Sequence, residues 1–410
     1  MNRHGSIVFS LLLVLVLTTL GAGILVRSVN ETKMAQRSAN STQALWLGEA
    51  GVQKTVWEIN NNNCTGFIQE GTQAACTSCT CSGTKTMAGT ISGAGDYDVT
   101  LNSDNSVATS LGSVPDRSSS SAVQRTVQAN LGKESPFSYA AFAKGQVTLA
   151  NNTFIDSYNS NNGEYSVSNS NTNGDVGSNG TTAGIISIGT NITVGGDVST
   201  GSGGTVTVGN NSEITGSTTH SNNVSLPDVT VPSTLTNLSS SGTLSIGNDG
   251  SQDLSAGDYK YASINMGNNA ALTVTGNVRL YLTGPTGLTT GNNVLLTISS
   301  GASLQVYVDG VLTIPNNATL NSVGDVPKNL QIYSTYTGSN GISLNNNGVL
   351  AAAVYAPNTD VVIGNNNDLY GSIIGETVSV NNNSAIHYDE SLANLASDVG
   401  TNGVTLWQEI

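Results

Sequence analysis

The sequence predicts a mainly β protein: a long N-terminal helix, a small antiparallel β head, and then a right-handed parallel β-helix, or solenoid. Three observations carry this. An uncharged apolar run at 7–26 continues into helical periodicity as far as about residue 60. A β-type alternation follows at 91–132. From about 137 to 390, Asn-rich turns recur between short apolar segments. Composition agrees, with 10 % charged residues, 5 % aromatic residues and 47 Gly, where a typical soluble chain has about 25 % charged. Such a chain cannot build one large aromatic core, but it can fill many thin layers. Its 410 residues call for two or three domains.

The formal net charge is −14. Residues 1–60 carry Arg3, Arg27, Lys33, Arg37 and Lys54 against Glu31, Glu49 and Glu58, a net of +2; the other 350 carry 8 basic and 24 acidic residues, a net of −16. An acidic surface repels phosphate backbones, so no nucleic-acid partner is expected.

The run 7–26 (IVFSLLLVLVLTTLGAGILV) has twenty residues, flanked by Arg3 and Arg27. A helix of that length spans a hydrocarbon core of about 30 Å. A cleaved secretory signal would have a shorter apolar region, although Gly21-Ala22-Gly23 offers a passable cut site. Retention is favoured because the helical pattern continues. No Pro precedes Pro115, and Leu45, Val52, Val56 and Ile59 form one amphipathic stripe. The helix is expected over 6–60 with the membrane span at 7–26.

Residues 61–135 read as a β region with a cysteine loop. Cys64, Cys76, Cys79 and Cys81 are the four cysteines and lie within 18 residues. An even, clustered set beyond a membrane span predicts disulfides, with three connectivities open. Zinc is the alternative, but no His lies nearby. Tyr97, Val99 and Leu101, then Val107, then Val123, Val127 and Ala129 alternate between Ser/Gly/Pro-rich breaks, predicting a meander of three or four strands.

The solenoid is expected over 136–392, with 393–410 as a C-terminal tail or cap. Asn groups recur at Asn151-Asn152, Asn210-Asn211, Asn248-Asp249, Asn268-Asn269, Asn292-Asn293, Asn316-Asn317, Asn345-Asn346-Asn347, Asn365-Asn366-Asn367 and Asn381-Asn382-Asn383. Segments such as LTVTGNVRLYL, LQVYV and VLAAAVYA lie between them. Asn tolerates left-handed corners and can stack in hydrogen-bonded ladders. Inward positions take Val, Ile, Leu and Ala; outward positions take Thr, Ser and Asn. A β-sandwich, the other candidate, would need longer strands and no period.

Catalytic signals are sparse. The histidines are His4, His220 and His387, and only His387 has acids in line, at Asp389 and Glu390. That segment is expected to cap an open solenoid end. Asp309, Asp360 and Asp368 stand apart, so paired carboxylates are not legible. Neither is a complete calcium set around Asp175. No enzyme activity, catalytic residue, cofactor or metal is expected.

Met1-Asn2-Arg3-His4-Gly5 directly before the apolar run, and Gly48-Glu49-Ala50-Gly51 near the helix end, resemble the N-termini of PilX-type minor pilins of type IV pilus systems. The resemblance implies a leader at 1–5, cleavage after Gly5 by a prepilin-type peptidase, and Ser6 as the new N-terminus. It also implies packing of the helix with other pilins from the inner membrane. Where major pilins carry Glu at the fifth mature position this chain has Ser10, which implies a tip or initiating position. The phrases at 136–143 (PFSYAAFA), 353–358 (AVYAPN), 370–375 (YGSIIG) and 386–392 (IHYDESL) resemble a β-solenoid domain of unknown function found after such N-termini. The function expected is a minor pilin-like structural component acting in filament initiation and surface adhesion. A surface glycan or host ligand would then be its outer partner. The alternative is a secreted or envelope-anchored β-helix that binds or cleaves a glycan.

Overall fold

The computed structural model describes residues 3–395, 399 and 402–410, with the side chains of 3–12 outside that set. Met1 and Asn2 of the expected leader, the surroundings of Gly5, and the side chains of Ser6 and Ser10 therefore lie outside the described set. The chain forms two compact units, one of residues up to 132 together with 402–410, the other of 133–401.

The first unit holds one continuous helix, Arg3–Asn61. It ends in a run of Asn. The amides of Asn62 and Cys64 both turn back to the Glu58 carbonyl while Asn63 and Cys64 take left-handed φ of 49° and 62°. Beside the helix lies an antiparallel sheet in the order Ile68–Gln69, Lys85–Ile91, Gly95–Leu101, Val107–Val114, Val123–Lys133, Asn402–Glu409. The meander starts earlier than its alternation indicates, because Lys85 opens it. Its buried ammonium donates to Asn105 Oδ1 at 2.8 Å and to the Ser103 carbonyl at 3.2 Å, and burial lowers its pKa. The expected tail or cap at 393–410 is corrected. Its last part is the sixth strand of this sheet, held by Thr405 on the Asn130 carbonyl and an Arg125–Glu409 ion pair. The second unit is thus an insertion between the fifth and sixth strands of the first.

The second unit is built of parallel strands in three columns. The first column is the ten-stranded sheet, running from Thr243–Ile246 at one end to Val206–Val208 at the other. The second and third columns lie within the other large sheet. The chain visits the columns in turn, as in Ser263–Met266, Ala271–Val274 and Asn277–Leu282, while Val349–Ala356 and Asp368–Gly375 each run through the second and third columns as one strand. Buried Ile264, Met266, Leu272, Val274, Leu280 and Leu282 face one continuous core.

The levels do not stack in chain order. From Thr243 onwards each level lies on the one before, up to Ala385–Asp389. The next level is then supplied by the start of the unit: Val378 pairs with Val147, Ala385 with Phe154, and Ile373 with Ala141. The stack continues through Ile186 to Val206. The expected cap at 386–392 is therefore corrected: that segment lies inside the stack, at a seam with 154–158. Residues 223–242 connect the two runs by crossing the third column lengthwise. Along this strap Val224 bonds to Asn179, the Pro227 carbonyl accepts from Tyr355, Thr234 Oγ1 accepts from Arg279, and the Thr236 carbonyl accepts from Lys260.

The strap explains a second departure. Tyr281, Tyr307, Tyr333 and Tyr355 pair in register on the outward side of the third column, where polar residues are expected. Tyr307, Tyr333 and Tyr355 are fully buried, and Tyr307 stacks on Tyr333 with centroids 5.2 Å apart.

The Asn corners lie between the first and second columns. Left-handed φ of 54–59° occurs at Asn152, Asn191, Asn211, Asp249, Asn269, Asn293, Asn317, Asn347, Asn366 and Asn383. Side-chain amides bond from level to level, as in Asn366 to Asn347 and Asn383 to Asn366, both at 3.1 Å. Asn268 is not itself a left-handed corner. It belongs to an adjacent ladder, its Oδ1 accepting from the Asn292 amide at 2.9 Å. Asn366→Val should therefore cost about 1–2 kcal/mol in backbone strain and roughly 1 kcal/mol for each lost hydrogen bond. Thermal unfolding should show a fall of about 5–10 °C. Asp360→Asn should lower the melting temperature less, because an acceptor remains for the Thr377 hydroxyl or the Asn340 amide.

Candidate assembly helix

The two halves of the helix have opposite environments. Between Leu13 and Met34 the large apolar side chains are exposed, Leu25 at 67 %. This part supplies a span of mean hydropathy 1.7, long and apolar enough to cross a membrane. Arg27 and Glu31 pair at 2.9 Å just beyond it. From residue 44 on, Ala44, Leu47 and Val52 are buried, and the stripe of Leu45, Val56 and Ile59 packs on Val99, Leu101, Val127 and Ala129 of the sheet.

Glycines set this docking distance. A Cβ on Gly112 would lie 1.9 Å from the Ala44 carbonyl oxygen and 2.7 Å from the Gly48 amide. One on Gly51 would lie 2.2 Å from Ser110 Oγ, and one on Gly48 2.9 Å from Val127 Cγ2. Helix and sheet backbones touch here, so Gly48-Glu49-Ala50-Gly51 acts as a packing seat. The Gly112 partner carries no signal in sequence, because one Gly in an alternating strand says nothing about its neighbour.

One charged cluster holds the far end of the docked half, and another lies in the sheet next to Gly95, which faces Leu47 of the helix. At the far end Glu58 is buried. Burial alone would raise its carboxyl, but hydrogen bonds from Lys54, Asn62 and the Gly66 amide outweigh this and hold it below the usual range. In the sheet cluster the Arg117 amide, the Thr90 hydroxyl and the Arg117 guanidinium hold Asp96 down at about 2. Between Ala39, Gln43, Trp46, Ile91 and Ala94 an apolar groove of about 670 Å³ opens where the helix leaves the sheet.

The cysteines form two disulfides, Cys64–Cys79 and Cys76–Cys81. Buried Cys64 and Phe67 tie the loop to the helix end. His387 is not joined to Asp389 or Glu390. Its Nδ1 lies 2.6 Å from Asp156 Oδ1, Asp156 Oδ2 accepts from the Tyr165 hydroxyl, and the rings of Tyr165 and Tyr370 flank the imidazole. Asp389 instead accepts from the amides and hydroxyls of Ser160 and Ser391, and Glu390 from Ser157, Asn171 and Asn173. These residues stitch the seam, a role no local sequence pattern announces. Asp309 accepts from Tyr281 and Thr335; burial first and then this bond push the Tyr281 hydroxyl up to about 12. Burial raises the Asp175 carboxyl, which accepts from the Asp197 amide. Among the described residues no group of three His, Cys, Asp or Glu is gathered as metal ligands.

Residues 210–395 match a family model described as a domain of unknown function (DUF7305). No curated protein matches the chain. Among solved structures, the chain is similar to the competence-associated pilin ComZ from Thermus thermophilus at 12 % identity, covering 90 % of this chain and 97 % of that one. The TM-score is 0.21, at which the likeness carries no argument.

Proposed function

We propose that the chain is a minor pilin-like structural component of a bacterial type IV pilus or related filament. It would insert in the inner membrane and act in filament initiation and surface adhesion, without enzymatic activity. The observation that carries this reading is the divided helix: an exposed apolar half, and a second half seated by glycines on an antiparallel sheet. An exposed apolar helix is unfavourable in water and is satisfied by lipid or by like helices. The three parallel columns are read as the walls of a right-handed β-solenoid. As an insertion in the head sheet, it would be carried on the helix-borne unit as displayed cargo. Ser10 at the fifth mature position fits the tip better than the shaft, since it offers no charge to a neighbour's N-terminal amine.

Gly5 is the processing determinant in this reading, because the peptidase needs a small residue before the cut. Gly5→Val should leave a full-length precursor in the membrane and remove the protein from the sheared filament fraction, with both read by immunoblot. Equal amounts of wild type and variant in that fraction would overturn the assignment.

A further inference from the structure

The corner ladder has a direction. Side-chain Nδ2 of the later level donates to Oδ1 of the level before it: Asn293 to Asn269, Asn366 to Asn347, Asn383 to Asn366, Asn152 to Asn383, Asn191 to Asn152 and Asn211 to Asn191, at 2.9–3.3 Å. The stack therefore has a first level, in the strands from Thr243 to Tyr261, and a last level, in those from Val206 to Asn222. Among the described residues neither is covered by a further strand.

The two ends differ at the ladder position. At the last level Asn211 uses its Nδ2 on Asn191, and its Oδ1 is the acceptor that a further level would use. At the first level the corner is Asp249, with φ of 56°. Its carboxylate accepts from Asn269 at 2.8 Å and has no N–H to give. Every other left-handed ladder corner is Asn.

Open parallel edges of one cross-section are templates for one another. The first level of one copy has the polarity and column spacing to follow the last level of another. Side chains at both edges are largely exposed, among them Ser251, Gln252 and Asp253 at one and Thr218, Thr219 and Val208 at the other. In such a contact the Asp249 carboxylate would meet the Asn211 amide oxygen, two acceptors with no proton between them. Asp253 of the first level and Glu213 of the last add like charges; Asp258 is paired with Arg279, and Lys260 is tied to the strap.

We infer that Asp249 is a stop residue that keeps copies of this chain from stacking end to end. The inference rests on the column order and the ladder, not on the filament reading. Asp249→Asn restores a donor at a corner that Asn occupies elsewhere, so the fold is retained and the ladder can run from Asn211 of one copy into the next.

The test is light scattering of the full chain in detergent micelles over a range of protein concentrations, each variant compared with wild type. Asp249→Asn should raise the particle mass at least two-fold, increasingly with concentration. Asp253→Asn, which removes the same charge from the same level but adds no ladder donor, should keep the wild-type mass. Asp249→Asn combined with Val208→Lys, which charges the opposite edge, should return to it. Wild-type mass for Asp249→Asn, equal growth for Asp253→Asn, or growth unaffected by Val208→Lys would each overturn the inference.

Discussion

Gly112→Val should unseat the helix from the head. The added Cβ falls within 2.7 Å of two backbone atoms, the Ala44 carbonyl oxygen and the Gly48 amide. Neither is the end of a flexible side chain, so the helix itself must lift. Overpacking of this kind costs about 1–3 kcal/mol. Lifting the helix also uncovers Ala44, Leu47 and Val52, and burial of a Leu or Val side chain contributes about 1.5–3 kcal/mol. A loss of about 4 kcal/mol in head stability is therefore expected. It should appear as a fall in melting temperature and as proteolysis within 61–132. Gly23→Ala is the control, because its Cβ meets nothing within 4 Å; it should change neither.

Asp389→Ala should open the seam. Asp389 is fully buried and takes four hydrogen bonds, from Ser160 N at 2.9 Å, Ser160 Oγ at 2.7 Å, Ser391 N at 3.1 Å and Ser391 Oγ at 2.8 Å. Removing the carboxylate leaves the two amides without this acceptor, while the two hydroxyls keep their 3.1 Å contact with each other. Each buried unsatisfied group costs about 1–3 kcal/mol, reduced where a hydroxyl turns to another partner. The net loss should be about 3–5 kcal/mol, with a fall in melting temperature of about 10 °C. Hydrogen exchange should rise first at 154–160 and 385–391, where the two runs of levels meet. Exchange rising first at Thr243–Ile246 instead would place the weak point at the end of the stack.

The mainly β character, the helix and the antiparallel head were legible because each is a local pattern. Leu45, Val52, Val56 and Ile59 announce their stripe at helical spacing, and the Asn corners announce themselves because few other residues tolerate left-handed backbone. The permuted stacking was not legible. Val147 pairs with Val378 on one side and Ile186 on the other, and nothing at 147 distinguishes a first level from a middle one. The same holds for the final strand: Thr405 and Trp407 look like a tail until Asn130 and Val127 are beside them. The tyrosine column was missed because 5 % aromatic residues spread along a chain look sparse, whereas register gathers them on one side. Asp156 and His387 are 231 residues apart and meet only through the seam.

The central claim is that the apolar half of the helix is a retained assembly element freed from a short leader. Mass spectrometry of the N-terminal peptide from protein extracted from membranes tests it most directly. The account predicts a mature chain beginning at Ser6, with residues 7–26 still attached. A chain beginning near Gly23, which would lack the span, or one still beginning at Met1 would contradict it.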